Sequence, residues 1–219
     1  MREVRRAGHR FHTVGDGVQT WHSFSYGAHY DPQQIGFGPV MAVNTEHVEP
    51  GGGYDVHHHA DVEIVTWVLE GVLRHEDSTG QSGDIRPGTA QRLSAGTGVR
   101  HSERNASVDD PLVFVQMMLR SDHDGDPDYA QVDVPPVPGA LVPTVSVRTS
   151  AELFAVRLDP GQALEVPASA RSLVIVTRGS VDADGTGLTV GDELRSTGEG
   201  AYELTATAPA EALVWQLSG

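Results

Sequence analysis

The chain has 219 residues and contains neither cysteine nor lysine. Without cysteine there are no disulfides, no thiolate nucleophile and no Cys-ligated zinc or iron–sulfur centre. All fifteen basic residues are arginine, so a Schiff-base lysine and the lysine of a phosphate-binding P-loop are both excluded. Basic residues are also outnumbered: 15 against 30 acidic ones give a net charge of −15. So acidic a chain lacks the positive footprint that phosphate backbones require, and direct nucleic-acid binding is not expected. No apolar run approaches the ~18–20 residues of a membrane span. Arg2, Arg5, Arg6 and Arg10 have no apolar segment behind them, so no signal peptide is expected and the cytoplasm is the expected compartment. Histidine, finally, is absent after His123.

Long stretches of helical period are missing as well. Glycine (25) and proline (13) instead cut the chain into short β-rich runs. Glu63 to Leu69, Pro111 to Leu119, Arg171 to Arg178 and Ala212 to Leu217 are β-branched or apolar segments bounded by turn residues. They predict the strands of an all-β sandwich or barrel protein. Ser121 to Asp128 and Val134 to Gly139 are polar or breaker-rich and read as a linker between two β domains. The expected division is a domain over 1–125, a linker over 126–142 and a second domain over 143–219. The halves echo each other weakly: Val68 to Leu73 before Gly83-Asp84, and Val176 to Val181 before Gly191-Asp192. This suggests a duplicated barrel whose second copy has no histidine to hold a metal in the same way.

All eleven histidines therefore crowd into the first half. His57 and His59 form one i, i+2 pair, and His101 and Glu103 form another. On a strand such pairs face one way, so two adjacent strands would converge four N/O donors on one point. His58 then points to the opposite face and is not expected to ligate. Glu63 shares parity with His57 and His59 and competes with Glu103 for the carboxylate position. Asp61 has the same parity but sits where a turn would disturb it. Three imidazoles and a carboxylate suit Fe(II), Mn(II), Ni(II), Co(II) or Zn(II). Open coordination positions would favour Lewis-acid or redox chemistry over a closed structural site.

The spacing of these residues resembles the cupin superfamily. Gly51, His57, His59, Glu63 and Gly71 fall in the order of its first motif, with one extra residue before the last glycine. Gly98, His101 and Asn105 match the second, with Gly96 where proline is usual. More narrowly, Gly71 to Ser78, Arg86-Pro87-Gly88, Ser94 to Gly98, His101-Ser102-Glu103, Trp21 to Ser25 and Tyr30-Asp31-Pro32 resemble the pirin family. The match is dense over residues 1–120 and thin afterwards. The resemblance implies two tandem jelly-roll cupin barrels, a bicupin, with a metal centre in the first only. It implies one divalent metal, Fe(II) foremost and Mn, Ni, Co, Zn or Cu as alternatives, held by His57, His59, His101 and Glu103. Glu63 then becomes a neighbour or strand anchor, while His22 and His75 match family positions without a ligand role.

Some proteins of this kind are quercetin 2,3-dioxygenases, so the resemblance implies an oxygenase acting on a flavonol with O₂. Glu103 is then the expected catalytic base as well as a ligand. Val65, Trp67, Val115 and Met117 would wall the pocket, or else simply pack the core. The alternative implied by the family is a redox-sensing regulator that binds a protein partner through the metal domain and catalyses nothing. A third reading is a scaffold stabilised by its metal. A monomer is the default expectation.

Overall fold

The computed structural model describes residues 1–218, and nearly all of them lie in strands or the turns between strands. In chain order the first strands are β1 (Arg2–Arg5), β2 (Phe11–Val14), β3 (Val18–His22), β4 (Val40–Val48), β5 (Gly53–His59) and β6 (Val62–Glu70). There follow β7 (Leu73–Asp77), β8 (Ser82–Ile85), β9 (Thr89–Ser94), β10 (Val99–Asn105), β11 (Leu112–Arg120) and β12 (Asp128–Asp133). The later ones are β13 (Leu141–Pro143), β14 (Ala151–Leu158), β15 (Ala163–Val166), β16 (Arg171–Arg178) and β17 (Ser180–Ala183). They end with β18 (Thr186–Thr189), β19 (Glu193–Thr197), β20 (Tyr202–Ala206) and β21 (Ala210–Leu217). A single 3₁₀ turn, Ala7–His9, is the one helical element among the described residues. Among the described residues no helix is long and apolar enough to cross a membrane.

The chain divides into two compact units. One comprises Phe11–Asp133 with Val147–Thr149; the other takes Met1–Arg10, Val134–Ser146 and the chain from Ser150 onward. The first has a seven-stranded sheet, β12-β9-β6-β11-β4-β3-β2, and a four-stranded sheet, β5-β10-β7-β8. The second has a six-stranded sheet, β1-β19-β16-β21-β14-β13, and a four-stranded sheet, β15-β20-β17-β18. The duplication is visible in these orders. Adding ten to each strand number turns β9-β6-β11-β4 and β5-β10-β7-β8 into their counterparts in the second unit. Each unit is an antiparallel jelly roll of the cupin type, and the protein is an all-β bicupin. The polar stretch read as a linker is only partly one: β12 lies inside it and pairs with β9 from Asp128↔Ser94 to Asp133↔Thr89.

The interior of the first unit is layered. One apolar cluster joins Val18, Val48, Val68, Leu73, Ile85, Leu112 and Phe114, and another joins Ala42, Ile64, Leu93, Ala95, Val99 and Met118. Each draws residues from both sheets, so these side chains point inward. Alternation then places what lies between them on the same face. Thr66 lies between Ile64 and Val68, Gln116 between Phe114 and Met118, and Asn44 with Glu46 between Ala42 and Val48. All four are buried. A polar layer thus crosses the middle of the unit. In the second unit the corresponding strands turn mainly apolar residues inward, with Val174, Val176, Leu204, Ala206, Ala212 and Val214 in one cluster.

One glycine does the same work in both units. Gly71 ends β6 with φ +78°, and Gly179 ends β16 with φ +66°. A Cβ on Gly71 would lie 2.5 Å from the Pro111 carbonyl oxygen, and one on Gly179 would lie 1.9 Å from that of Pro209. Only glycine allows both the left-handed turn and the close approach to the next strand. Gly71→Ala and Gly179→Ala are each expected to cost roughly 2 kcal/mol or more, of which about 1–2 is backbone strain alone. Urea denaturation measures this, and a loss within ~0.5 kcal/mol of zero, the range of a neutral surface change, would contradict the account.

Candidate metal centre

Three of the four predicted donors meet where β5 runs beside β10. His101 is the direct cross-strand partner of His57, and Val99 is that of His59. The rings of His57 and His101 lie 4.4 Å apart, those of His57 and His59 4.9 Å, and those of His59 and His101 5.1 Å. One ring nitrogen from each of these histidines falls within 4.8 Å of the others. Glu103 falls in an overlapping group with His101 and His75, on the same limit. His58 is exposed, as alternation requires. The i, i+2 reading thus brings the three imidazoles together, and Glu103 follows His101 inward along β10.

Glu63 is placed elsewhere. Asp61, at φ 59°, turns the chain between β5 and β6, so parity counted from His59 does not carry across. The Glu63 carboxylate is fully buried and accepts bonds from Ser94 Oγ at 2.7 Å, Ser121 Oγ at 2.6 Å and the Arg148 amide at 3.1 Å. It ties three segments of one unit together and is satisfied there. Glu103 instead receives Gln116 Nε2 at 2.9 Å on both oxygens. Burial pushes its carboxyl up to about 7, opposed by that amide.

Hydrogen bonding sets which imidazole nitrogens face the centre. His57 Nδ1 lies 2.8 Å from the Asp55 carbonyl oxygen, which can only accept, so Nδ1 carries the proton and Nε2 the lone pair. His101 Nε2 is buried and has no hydrogen-bond partner. A buried basic nitrogen left bare is costly, and a cation is the partner it suits. Burial, reinforced by the imidazoles of His57 and His75, holds His101 down to about 3. Burial and His57 hold His59 down to about 4. Both rings are therefore neutral at physiological pH, as ligation requires. The donors fit a divalent metal.

Beside them lies a second buried carboxyl. Glu46, on β4, accepts from Tyr54 Oη at 2.8 Å and from Thr20 Oγ1. Burial raises it to about 7, and the nearby Glu103 adds to the rise. Tyr54 escaped sequence reasoning for a specific reason. The β5–β10 register slips between His101 and Glu103, pairing His101 with His57 but Glu103 with Tyr54. This bulge turns Tyr54 inward although it lies three positions from His57, an odd step that an unbroken strand would send outward. Gln116 was hidden as a single polar residue inside an apolar run, and Glu46 within the polar stretch Asn44-Thr45-Glu46-His47, which carries no ligand spacing. Conversely, Val65, Trp67, Val115 and Met117 do not wall the site. They pair as Met117↔Val65 and Val115↔Trp67, alternate with Gln116 and Thr66, and are buried on the opposite face of the sheet.

Glu46 belongs to neither donor group, so its titration can be followed in metal-free protein. Its folded value of about 7 lies above the ordinary 4.5, so the folded chain binds this proton more tightly than the unfolded chain does. Its contribution to stability is therefore lost as pH rises from about 4.5 to about 7, by on the order of 3 kcal/mol. Glu46→Gln removes that loss. Unfolding free energy of the variant, relative to the unaltered protein, is expected to rise between about pH 5 and pH 8; a flat difference would contradict the placement of Glu46.

Known proteins resemble this chain along its whole length. Residues 3–119 match the family described as Pirin, and residues 142–217 match the Quercetinase C-terminal cupin domain. A Mycobacterium tuberculosis protein named "Putative quercetin 2,3-dioxygenase" is 40% identical over 230 residues, covering 98% of this chain and 94% of that one. The Quercetin 2,3-dioxygenase of Escherichia coli K12 is 32% identical over 225 residues, covering 98% and 97%. A crystal structure of an E. coli bacterial pirin in complex with nickel(II) superposes with a TM-score of 0.93 at 29% identity, covering 100% of this chain and 99% of that one. By these matches, which span both jelly rolls, the chain belongs to the pirin family.

Proposed function

We propose that this protein is a mononuclear metal-dependent dioxygenase that cleaves a flavonol of the quercetin type with O₂, with Fe(II) as its working metal. The observation that carries the reading is the convergence of one ring nitrogen each from His57, His59 and His101, with His101 Nε2 buried and without a partner. It occurs in a chain that matches a named quercetin 2,3-dioxygenase over 98% of its length. His57, His59, His101 and Glu103 would hold the ion, which when bound supplies Lewis-acid and one-electron chemistry toward the flavonol and O₂.

The remaining work belongs to the side chains. Glu103 takes the flavonol hydroxyl proton at a carboxylate oxygen, and the Gln116 amide holds that carboxyl in place and stabilises the charged form. Its raised pKa matches a base that both accepts and returns a proton near neutrality. Tyr54 and Thr20 keep the Glu46 carboxyl fixed beside it. Tyr26 is 38% exposed, and its pKa is raised by burial and then by the charges of Glu46 and Glu103. Its ring stacks on His22 at 5.1 Å and 16°, and offers an aromatic face to a planar substrate.

Oxygen uptake with quercetin tests the reading. The iron-loaded protein should consume O₂ well above free iron in the same buffer. His59→Ala should abolish the excess together with metal retention, and Glu103→Ala should lower it roughly 10²-fold or more, the usual share of a general base. Uptake no faster than free iron would overturn the dioxygenase reading. Undiminished uptake in an iron-bound Glu103→Ala protein would overturn the role of Glu103.

A further inference from the structure

The two donor groups share His101, and His75 belongs to only one of them. The hydrogen bonds around His75 show what it does. Its Nε2 lies 3.3 Å from Asp77 Oδ2, and both side chains are at most 1% exposed. Its Nδ1 lies 3.5 Å from His101 Nδ1. The Tyr129 ring stacks on it at 4.9 Å and fixes its plane. Both ring nitrogens of His75 are thus occupied by protein groups.

The proton positions follow in order. A carboxylate only accepts, so His75 Nε2 carries the proton that faces Asp77. A neutral His75 then has its lone pair on Nδ1. His101 must offer N–H at its own Nδ1, which leaves the lone pair of His101 on Nε2, the buried nitrogen without a partner. The other oxygen of Asp77 anchors this chain to the β7–β8 turn. Asp77 Oδ1 accepts from the Thr79 amide at 2.8 Å, Thr79 Oγ1 at 2.6 Å and the Gln81 amide at 3.1 Å. With three donors on Oδ1, the carboxylate cannot rotate, and Oδ2 is held toward His75.

We infer that Asp77 and His75 are positioning residues that act through His101: they fix its tautomer and ring plane so that Nε2 is the metal-binding nitrogen. The inference rests on the metal-centre reading above and assigns His75 to holding a ligand rather than being one. Such carboxylate–imidazole–imidazole support is the general means by which proteins orient a metal-bound histidine.

Asp77→Asn is the informative change. The three turn donors keep the amide oxygen at the Oδ1 position, which puts an NH₂ donor against His75 Nε2. His75 must then accept there and donate from Nδ1, His101 must accept at Nδ1, and its Nε2 becomes N–H and cannot ligate. Ni(II) and Co(II) affinities, measured by titration against a competing chelator, are expected to fall about 10–100-fold. The Co(II) visible spectrum should change, thermal stability of the metal-free protein should barely move, and Asp77→Glu should recover part of the affinity. Unchanged Ni(II) and Co(II) affinity in Asp77→Asn would overturn the inference while leaving the centre intact, provided His59→Ala still loses metal. Loss of no metal in His59→Ala would instead overturn the underlying reading. A measurement on the unaltered metal-free protein needs no variant: ¹⁵N–¹H imidazole correlations should show His75 protonated at Nε2 and His101 at Nδ1. The reverse pattern overturns the inference.

Discussion

Burying a polar group costs free energy unless the interior returns its hydrogen bonds, and the first jelly roll is organised around that constraint. Strand alternation forces Asn44, Glu46, Gln116, His75, His101 and Glu103 into one layer between two apolar clusters. Most of the layer satisfies itself. Gln116 serves Glu103, Tyr54 and Thr20 serve Glu46, His22 pairs with Asn44, and Asp77 serves His75. Two groups of the layer are left without a partner, the Thr66 hydroxyl and His101 Nε2, and of these only the imidazole nitrogen belongs to a cluster with His57 and His59. That bare nitrogen is what suits the cluster to a cation, and the same burial lowers the pKa of His59 and His101 and raises those of Glu46 and Glu103.

The second unit shows what the fold does without that layer. Its strand orders repeat those of the first unit ten strands on, and Gly179 repeats the turn of Gly71. Yet its inward residues on β20 are Tyr202, Leu204 and Ala206, where β10 turns in His101, Glu103 and Asn105. The buried tyrosine hydroxyl pairs with Ser172 Oγ at 2.9 Å, so this interior closes on itself. One backbone plan therefore supports both a chemically open interior and an ordinary core, and the difference lies in a few inward positions.

Much of this was legible in the sequence, for reasons that can be named. Turn residues and short β-branched runs pointed to an all-β chain, and the i, i+2 spacing of His57, His59, His101 and Glu103 survives because each pair sits on one unbroken stretch of strand. Parity misled wherever the backbone departs from a regular strand. The left-handed turn at Asp61 separates Glu63 from the histidines, and the bulge in β5 rotates Tyr54 inward. Parity also had no origin in β6 and β11: both are buried on their two faces, and nothing in one sequence says which face looks inward, so Val65 and Met117 could be read as pocket wall or as plain core. The Asp77–His75–His101 chain was out of reach for another reason. It joins residues from two strands whose pairing, Glu103↔His75 and His101↔Asp77, is a matter of register.

The central claim is that His101 Nε2, His57 and His59 converge on a metal ion with Glu103 beside them. Anomalous diffraction from crystals of the nickel- or iron-loaded protein, collected at the metal's absorption edge, tests it most directly. The account predicts a single strong peak between His57, His59 and His101, roughly 2.0–2.2 Å from each ligating nitrogen, as for first-row ions bound by imidazole. A peak elsewhere, or at His101 Nδ1 in place of Nε2, would contradict it.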